Sequence, residues 1–204
     1  MKELKDKARH LLKIFKGNNY VFGVGCLDKV DQLLSFLGKK SLLITNLGRR
    51  NPEDLSLIID SLNKKGSEVI GPVPSARPNA PREDVLRLAE TIKSASPDNV
   101  IVAAGGSGID AAKAALILAA LGGDFEQYFG VGKVTDKILK TGKKLIPLVA
   151  IQTAAGSAAH LTKYSNITDL QTHQKKLIVD EAIIPAKALF DYRLTLSAPL
   201  DLTP

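Results

Sequence analysis

The sequence has one cysteine, Cys26, no tryptophan, and only 5% aromatic residues among its 204. A single thiol cannot build an intrachain disulfide framework, which suits a reducing compartment. Few aromatic side chains leave little on which nucleobases could stack. No apolar run reaches the ~18 residues of a membrane span, so no membrane partner is expected. Residues 1–16 are charged and lack the apolar centre of a secretory signal, which makes the cytoplasm the expected compartment. The G-x-x-x-x-G-K-[ST] phosphate loop is also missing.

What is present is a globular composition, 45% hydrophobic and 24% charged, with a net charge of +7. The length allows one large domain, or one domain and part of another. The lysines fall in scattered pairs such as Lys39-Lys40, Lys64-Lys65, Lys143-Lys144 and Lys175-Lys176. Such pairs read as solvated helix ends rather than a nucleic-acid footprint.

Periodicity places a helix over residues 1–16, with Leu4, Ala8, Leu11, Leu12 and Phe15 at helical intervals. A short strand is predicted over 20–24, a helix over 28–37, and a buried strand at "SLLIT" (41–45). A helix follows from the Pro52 start to about residue 64, then a strand over 69–73. "PSARPNAPRED" (74–84) is a turn-rich connection. A helix over 85–95 and a strand over 99–104 come next. Further strands are predicted over 148–151 and 187–190, with a two-stranded arm over 162–169 and 175–180. Strands alternating with helices give the α/β class, a Rossmann-like doubly wound, mostly parallel sheet with a small hairpin arm.

The segment "AGGSGID" (104–110) joins a strand to an apolar helix over 111–121, whose one charge is Lys113. In open α/β sheets ligands collect at the carboxyl ends of strands. A helix starting there offers free N–H groups, and glycines let a phosphate approach the backbone. This makes the segment a reasonable pyrophosphate cradle. Two plainer readings stand beside it: a tight turn, and a capping box between Ser107 and Asp110. "GVGCLD" (23–28) resembles G-x-G-x-x-G with Asp28 for the third glycine, and reads as a turn after the first strand.

Several motifs in order carry a family likeness. "GGSGIDAAK" resembles the GGGSxxDxxK loop of the iron-containing (group III) alcohol dehydrogenases, a superfamily that includes glycerol dehydrogenase and dehydroquinate synthase. "YVFGVG", "LLITN", "RPNAPREDV", "IQTAAGSAAHLTKYSNITD" and "KKLIVDEAIIPAKALFDYRLTLSAP" resemble its other segments. The resemblance covers essentially the whole chain from Tyr20 onward. It implies a cofactor half that binds NAD or NADP. It also implies a helical half that holds a divalent metal, usually iron, sometimes zinc. The family's metal ligands, an Asp-x-x-x-His pair and two later histidines, correspond to positions past the segment that closes this sequence. His10, His160 and His173 all precede that point. No catalytic residue or metal ligand is therefore expected in this chain. Residues 1–195 read as an NAD(P)-binding domain. Residues 196–204 read as the start of a linker toward a helical metal domain that the chain lacks.

By the same resemblance Gly105, Gly106 and Ser107 cradle the pyrophosphate, with Ala104 for the family's first glycine. Asp110 is expected to orient the loop, because a carboxylate is repelled by a pyrophosphate. Thr153 and Ser157 match the threonines of a TTAGT loop, whose hydroxyls reach the nicotinamide ribose or a phosphate; Ala154 replaces the second threonine. His160 replaces a frequent glutamate. It is either a polar group near the nicotinamide or, as expected here, a histidine satisfied inside the domain. Thr162 is expected to line the site. Of the arm lysines Lys163, Lys175 and Lys176, Lys175 is carried as a ribose or phosphate contact, with surface lysines as the default. Asn46 stands where many relatives have an aspartate that selects NAD, and "LGRR" follows. Without that acid, and with Arg49 and Arg50 to pair with a 2′-phosphate, NADP is slightly favoured over NAD.

Two function classes follow. One is the cofactor half of an alcohol dehydrogenase, inactive alone, that would pass a hydride between nicotinamide and a small alcohol or aldehyde. A glycerol dehydrogenase-like or dehydroquinate synthase-like enzyme is a variant of that reading. The other is a non-catalytic nucleotide-binding module. A homo-oligomer, or a partner chain supplying the metal domain, is expected from the apolar face that a missing domain would uncover.

Overall fold

The computed structural model describes residues 2–49, 51–196 and 198. Helix α1 (Lys2–Lys16) leads through a turn into β1 (Tyr20–Gly23). Then come α2 (Val30–Leu33), β2 (Lys40–Thr45), α3 (Pro52–Lys64), β3 (Glu68–Val73), α4 (Arg82–Ala95), β4 (Asn99–Ala104) and α5 (Gly106–Leu121). The rest is β5 (Gly130–Val131), α6 (Lys133–Thr141), β6 (Leu148–Gln152), β7 (Tyr164–Asp169), β8 (Gln174–Val179) and β9 (Lys187–Asp191). Six strands form one sheet in the order β1-β9-β6-β4-β2-β3, with every neighbouring pair parallel.

Strand alternation divides the core between the two faces. Leu42, Ile44, Val100 and Val102 pack with Val85, Leu88 and Ile92 of α4 and with α5. Leu43, Ile101, Val149 and Leu189 pack with Val30 and Leu33 of α2 and with Ile58 and Leu62 of α3. Helices on both faces make the sheet doubly wound, as the βαβ rhythm predicted. Register sets Thr45 beside Ala103 and Ala104 beside Gln152, so β2, β4 and β6 end level with one another.

Two expectations are corrected. The helix expected over 28–37 is reduced to a 3-10 turn and the single turn of α2. Phe36 is left-handed and exposed, and Gly38, with φ +86°, packs flat on Asp98. The Asp98 carboxylate accepts from Lys39 N and Lys40 N, both at 2.9 Å, which pulls the chain out of helix and into β2. The arm has three strands, since β5 runs beside β8 while β7 and β8 pair antiparallel. Helix α6, between Gly132 and Gly142, has no counterpart in the sequence prediction, although both glycines are left-handed caps. Helix α1 forms where the periodicity placed it, with Leu4, Leu11 and Phe15 exposed. Most of the linker expected over 196–204 lies outside the described residues.

The turn at "GVGCLD" is occupied from within. Asp191, at the end of β9, is fully buried. It accepts from Gly25 N (2.8 Å), Cys26 N (2.7 Å) and Leu27 N (3.2 Å), and from Arg193 N (3.0 Å). An internal carboxylate thus fills the anion nest that the sequence pattern hinted at. Burial alone would push the Asp191 carboxyl up, but the Arg193 donors and the Gly25 and Cys26 amides hold it below the usual range. Asp191→Ala, which strips four amides of their acceptor, is expected to lower stability by about 3 kcal/mol, read from the urea midpoint. The depressed pKa places this contribution above the unfolded carboxyl's pKa. It disappears as pH falls through the folded value, so the variant should show a flatter acid limb.

Candidate functional site

The site is built where β4 hands over to α5. Gly105 caps the helix with an extended backbone and no side-chain hydrogen bond. The first amides of α5 have no intrahelical acceptor and carry the positive end of the helix dipole. This turn must be glycine for reasons of space. A Cβ on Gly106 would stand 2.8 Å from the Ser157 side chain, and one on Gly108 would collide with the Ala104 methyl and the Ser75 hydroxyl. The Ser107–Asp110 capping box is overturned, since both residues lie inside the helix and bond elsewhere. Ser107 Oγ accepts from Asn79 N at 3.0 Å, and Asp110 Oδ2 accepts from Asn166 N at 3.1 Å.

Above this turn lies a cleft of about 460 Å³. Five of the residues predicted for the site line it together: Asn46 past β2, Gly105, Gly106 and Ser107 at α5, and Thr153 past β6. Thr153 N donates to Ala104 O at 3.0 Å, which ties the ends of β6 and β4. Asn46 Oδ1 accepts from Ser75 N at 3.2 Å, leaving the amide NH₂ as the group that faces outward. Arg49 and Asn51 stand at the same wall. Arg50 lies outside the described residues.

The other predicted residues stay out of that wall. Ser157 is exposed and abuts Gly106 from the flanking loop, where it accepts from Gln152 Nε2 at 3.1 Å. Asp110 ties α5 to the arm, since its main-chain carbonyl also accepts from Ser165 Oγ at 2.8 Å. Burial raises its carboxyl pKa. Thr162 contributes its carbonyl to Lys113 Nζ at 2.7 Å. Lys175 Nζ donates to Asn79 Oδ1 at 3.0 Å, one residue pair removed from Ser107. Lys163 and Lys176 are each paired at 2.7 Å, with Glu181 and Glu126.

A partly buried polar chain runs from Tyr20 through His160 and Gln152 to the loop after β6. His160, 4% exposed, meets Gln152 Oε1 through Nδ1 (3.0 Å) and Tyr20 OH through Nε2 (3.1 Å). Gln152 Nε2 goes on to Ala154 O and Ser157 Oγ. An acceptor at Gln152 Oε1 assigns the proton to Nδ1 and makes Nε2 the acceptor for the tyrosine. Burial lowers the His160 pKa to about 4, so the ring is neutral and satisfied within the domain, as expected. Lys113 is buried too, and burial pulls its pKa down to about 8 while it bonds Thr162 O and Tyr164 O.

Sequence reasoning missed Ser75, Ala76, Pro78 and Leu194, which also line the cleft. Ser75 was findable, because it follows β3 at the same sheet end. Leu194 was not, since only the tertiary fold brings it there. The Asp-x-x-x-His spacing occurs at Asp6–His10 and at Asp169–His173. Among the described residues, however, no three His, Cys, Asp or Glu side chains gather into a metal site. No described helix is long and apolar enough to cross a membrane.

Comparison with known proteins agrees with this geometry. The NAD-dependent methanol dehydrogenase of Bacillus methanolicus is 30% identical over 184 residues, which are 90% of this chain and 46% of that protein. The NADPH-dependent butanol dehydrogenase of Clostridium saccharobutylicum is 30% identical, matching 89% of this chain and 45% of its own length. The crystal structure of a 1,3-propanediol oxidoreductase superposes with a TM-score of 0.80 at 29% identity, over 91% of this chain and 47% of that one. The chain thus spans about half the length of the relatives it matches. The family model for iron-containing alcohol dehydrogenases matches residues 17–192, and the chain belongs to that family.

Proposed function

We propose that this chain is the cofactor-binding half of a metal-dependent, NAD(P)-linked alcohol dehydrogenase, with residues 1–195 as its cofactor domain. The observation that carries the reading is the convergence of Gly105, Gly106, Ser107, Thr153 and Asn46 on one cleft at the carboxyl ends of β2, β4 and β6. The fit to a dinucleotide is chemical: the helix opens on Gly105, which offers no side-chain cap, so its first amides are left to an outside acceptor. The amides at the start of α5 would hold the pyrophosphate, the Thr153 hydroxyl would bond a ribose or phosphate oxygen, and the Asn46 amide and Arg49 would meet the adenosine ribose. A bound nicotinamide supplies the hydride chemistry. This chain's residues would bind it and orient it. By the family likeness, the metal and the alcohol or aldehyde pocket would come from a second half, in the same polypeptide or on a partner chain. The exposed stripe of α1 offers a partner, or a second copy, an apolar face to cover.

At the adenosine end no carboxylate stands at Asn46 to repel a 2′-phosphate, and a donor amide with Arg49 beside it favours NADP(H). Calorimetry should show tighter binding of NADP(H) than of NAD(H). Asn46→Asp should shift the ratio toward NAD(H) by about tenfold, or 1.4 kcal/mol. Equal ratios in both proteins would remove Asn46 from cofactor choice. The chain on its own, given NADP and ferrous iron or zinc, should show no absorbance change at 340 nm (the NADPH band) with ethanol, butanol or 1,3-propanediol. Metal-dependent turnover by the chain alone would refute the division into halves.

A further inference from the structure

Ser75 carries one of three buried side-chain oxygen atoms that have no hydrogen-bond partner among the described residues. The other two, Ser41 Oγ and Asn99 Oδ1, belong to residues paired across β2 and β4 at the strand starts, far from the cleft. Ser75 alone of the three lines the cleft. Its main chain is fixed on both sides, with N donating to Asn46 Oδ1 at 3.2 Å and O accepting from Arg87 at 3.3 Å. The residue is 6% exposed, and its hydroxyl rests against the backbone of Gly108 in the first turn of α5. Glycine at 108 is what leaves room for it. A buried hydroxyl without a partner is costly, and in a native fold such a group calls for an explanation.

We propose that the Ser75 hydroxyl is an additional donor of the phosphate cradle, reserved for the adenosine-side phosphate of a bound dinucleotide. The inference rests on the dinucleotide reading given above. Donation to that phosphate requires a turn about Cα–Cβ, among the three staggered positions of serine, that carries the oxygen off Gly108 toward the cleft Ser75 lines. There it would share the cleft wall with Asn46, Gly106 and Ser107. A phosphate oxygen gives the hydroxyl the acceptor it lacks, so ligand binding would satisfy a group that the free fold leaves unpaired.

The test compares Ser75→Ala with the unaltered chain, by calorimetry with NADP, ADP and adenosine and by thermal unfolding without ligand. The expected result is about a tenfold loss of affinity for NADP and ADP. Affinity for adenosine should not change, and the melting temperature should be unchanged or raised, because the substitution removes an unpaired oxygen. Unchanged ADP affinity would overturn the proposal while leaving the dinucleotide reading intact. An equal loss for adenosine would move the hydroxyl to the ribose and overturn the phosphate assignment. A lower melting temperature with weaker binding of all three ligands would make Ser75 a structural residue. If the unaltered chain binds none of the three, the dinucleotide reading itself falls, and this inference with it.

Discussion

The first turn of α5 runs against the end of β4 and the two flanking loops with no side chain between, and the rest of the site depends on that close approach. Gly106 passes Ser157, while Gly108 passes Ala104 and Ser75. Any Cβ there would push the helix away from the sheet and open its amides to the neighbouring loops. The helix can be held so close because it is buried nearly all round, from Ile109 through Leu121. Burial of that many apolar side chains, at about 25 cal/mol per Å², sets the position of the turn far more firmly than its own polar contacts could.

Elsewhere the chain treats exposed amide groups differently. Asp191 takes the amides at residues 25–27, Asp98 those of Lys39 and Lys40, and Asp180 those of Thr135 and Ala182. Each loop is tied down by an internal carboxylate. At the start of α5 that pattern is broken: the cap is Gly105, and the nearest carboxylate, Asp110, turns away to the arm. A helix start with positive partial charge and no internal anion is a place for an external one. The net charge of +7 adds a general attraction for such a ligand.

The two glycine-bearing turns show how much of the site could be read in advance. "GVGCLD" and "AGGSGID" look alike as strand-to-helix turns with glycine pairs. What separates them is Asp191, which lies more than 160 residues from the first of them in the chain. The motif order and the family likeness pointed to the second of them. They could not show that the other was already filled. The same limit explains the capping box. Ser107 and Asp110 have the right spacing, but their true partners, Asn79 and Asn166, are distant in sequence. Helix α6 went unseen because its stripe is short and its stabilising contact, Thr135 to Asp180, is also remote.

The sequence by itself determined the βαβ rhythm, the alternating core residues of the six-stranded sheet, the glycine turn at residues 105–108 and the family. Those follow from local periodicity and from steric demands that each residue type carries with it. Only the tertiary structure decided which carboxylate closes which loop, that His160 is sealed in a neutral chain with Tyr20 and Gln152, and that Ser75 and Leu194 reach the cleft. Those outcomes depend on distances between segments far apart in the chain. A side chain's burial and its partner are set by packing, and packing has no local signature.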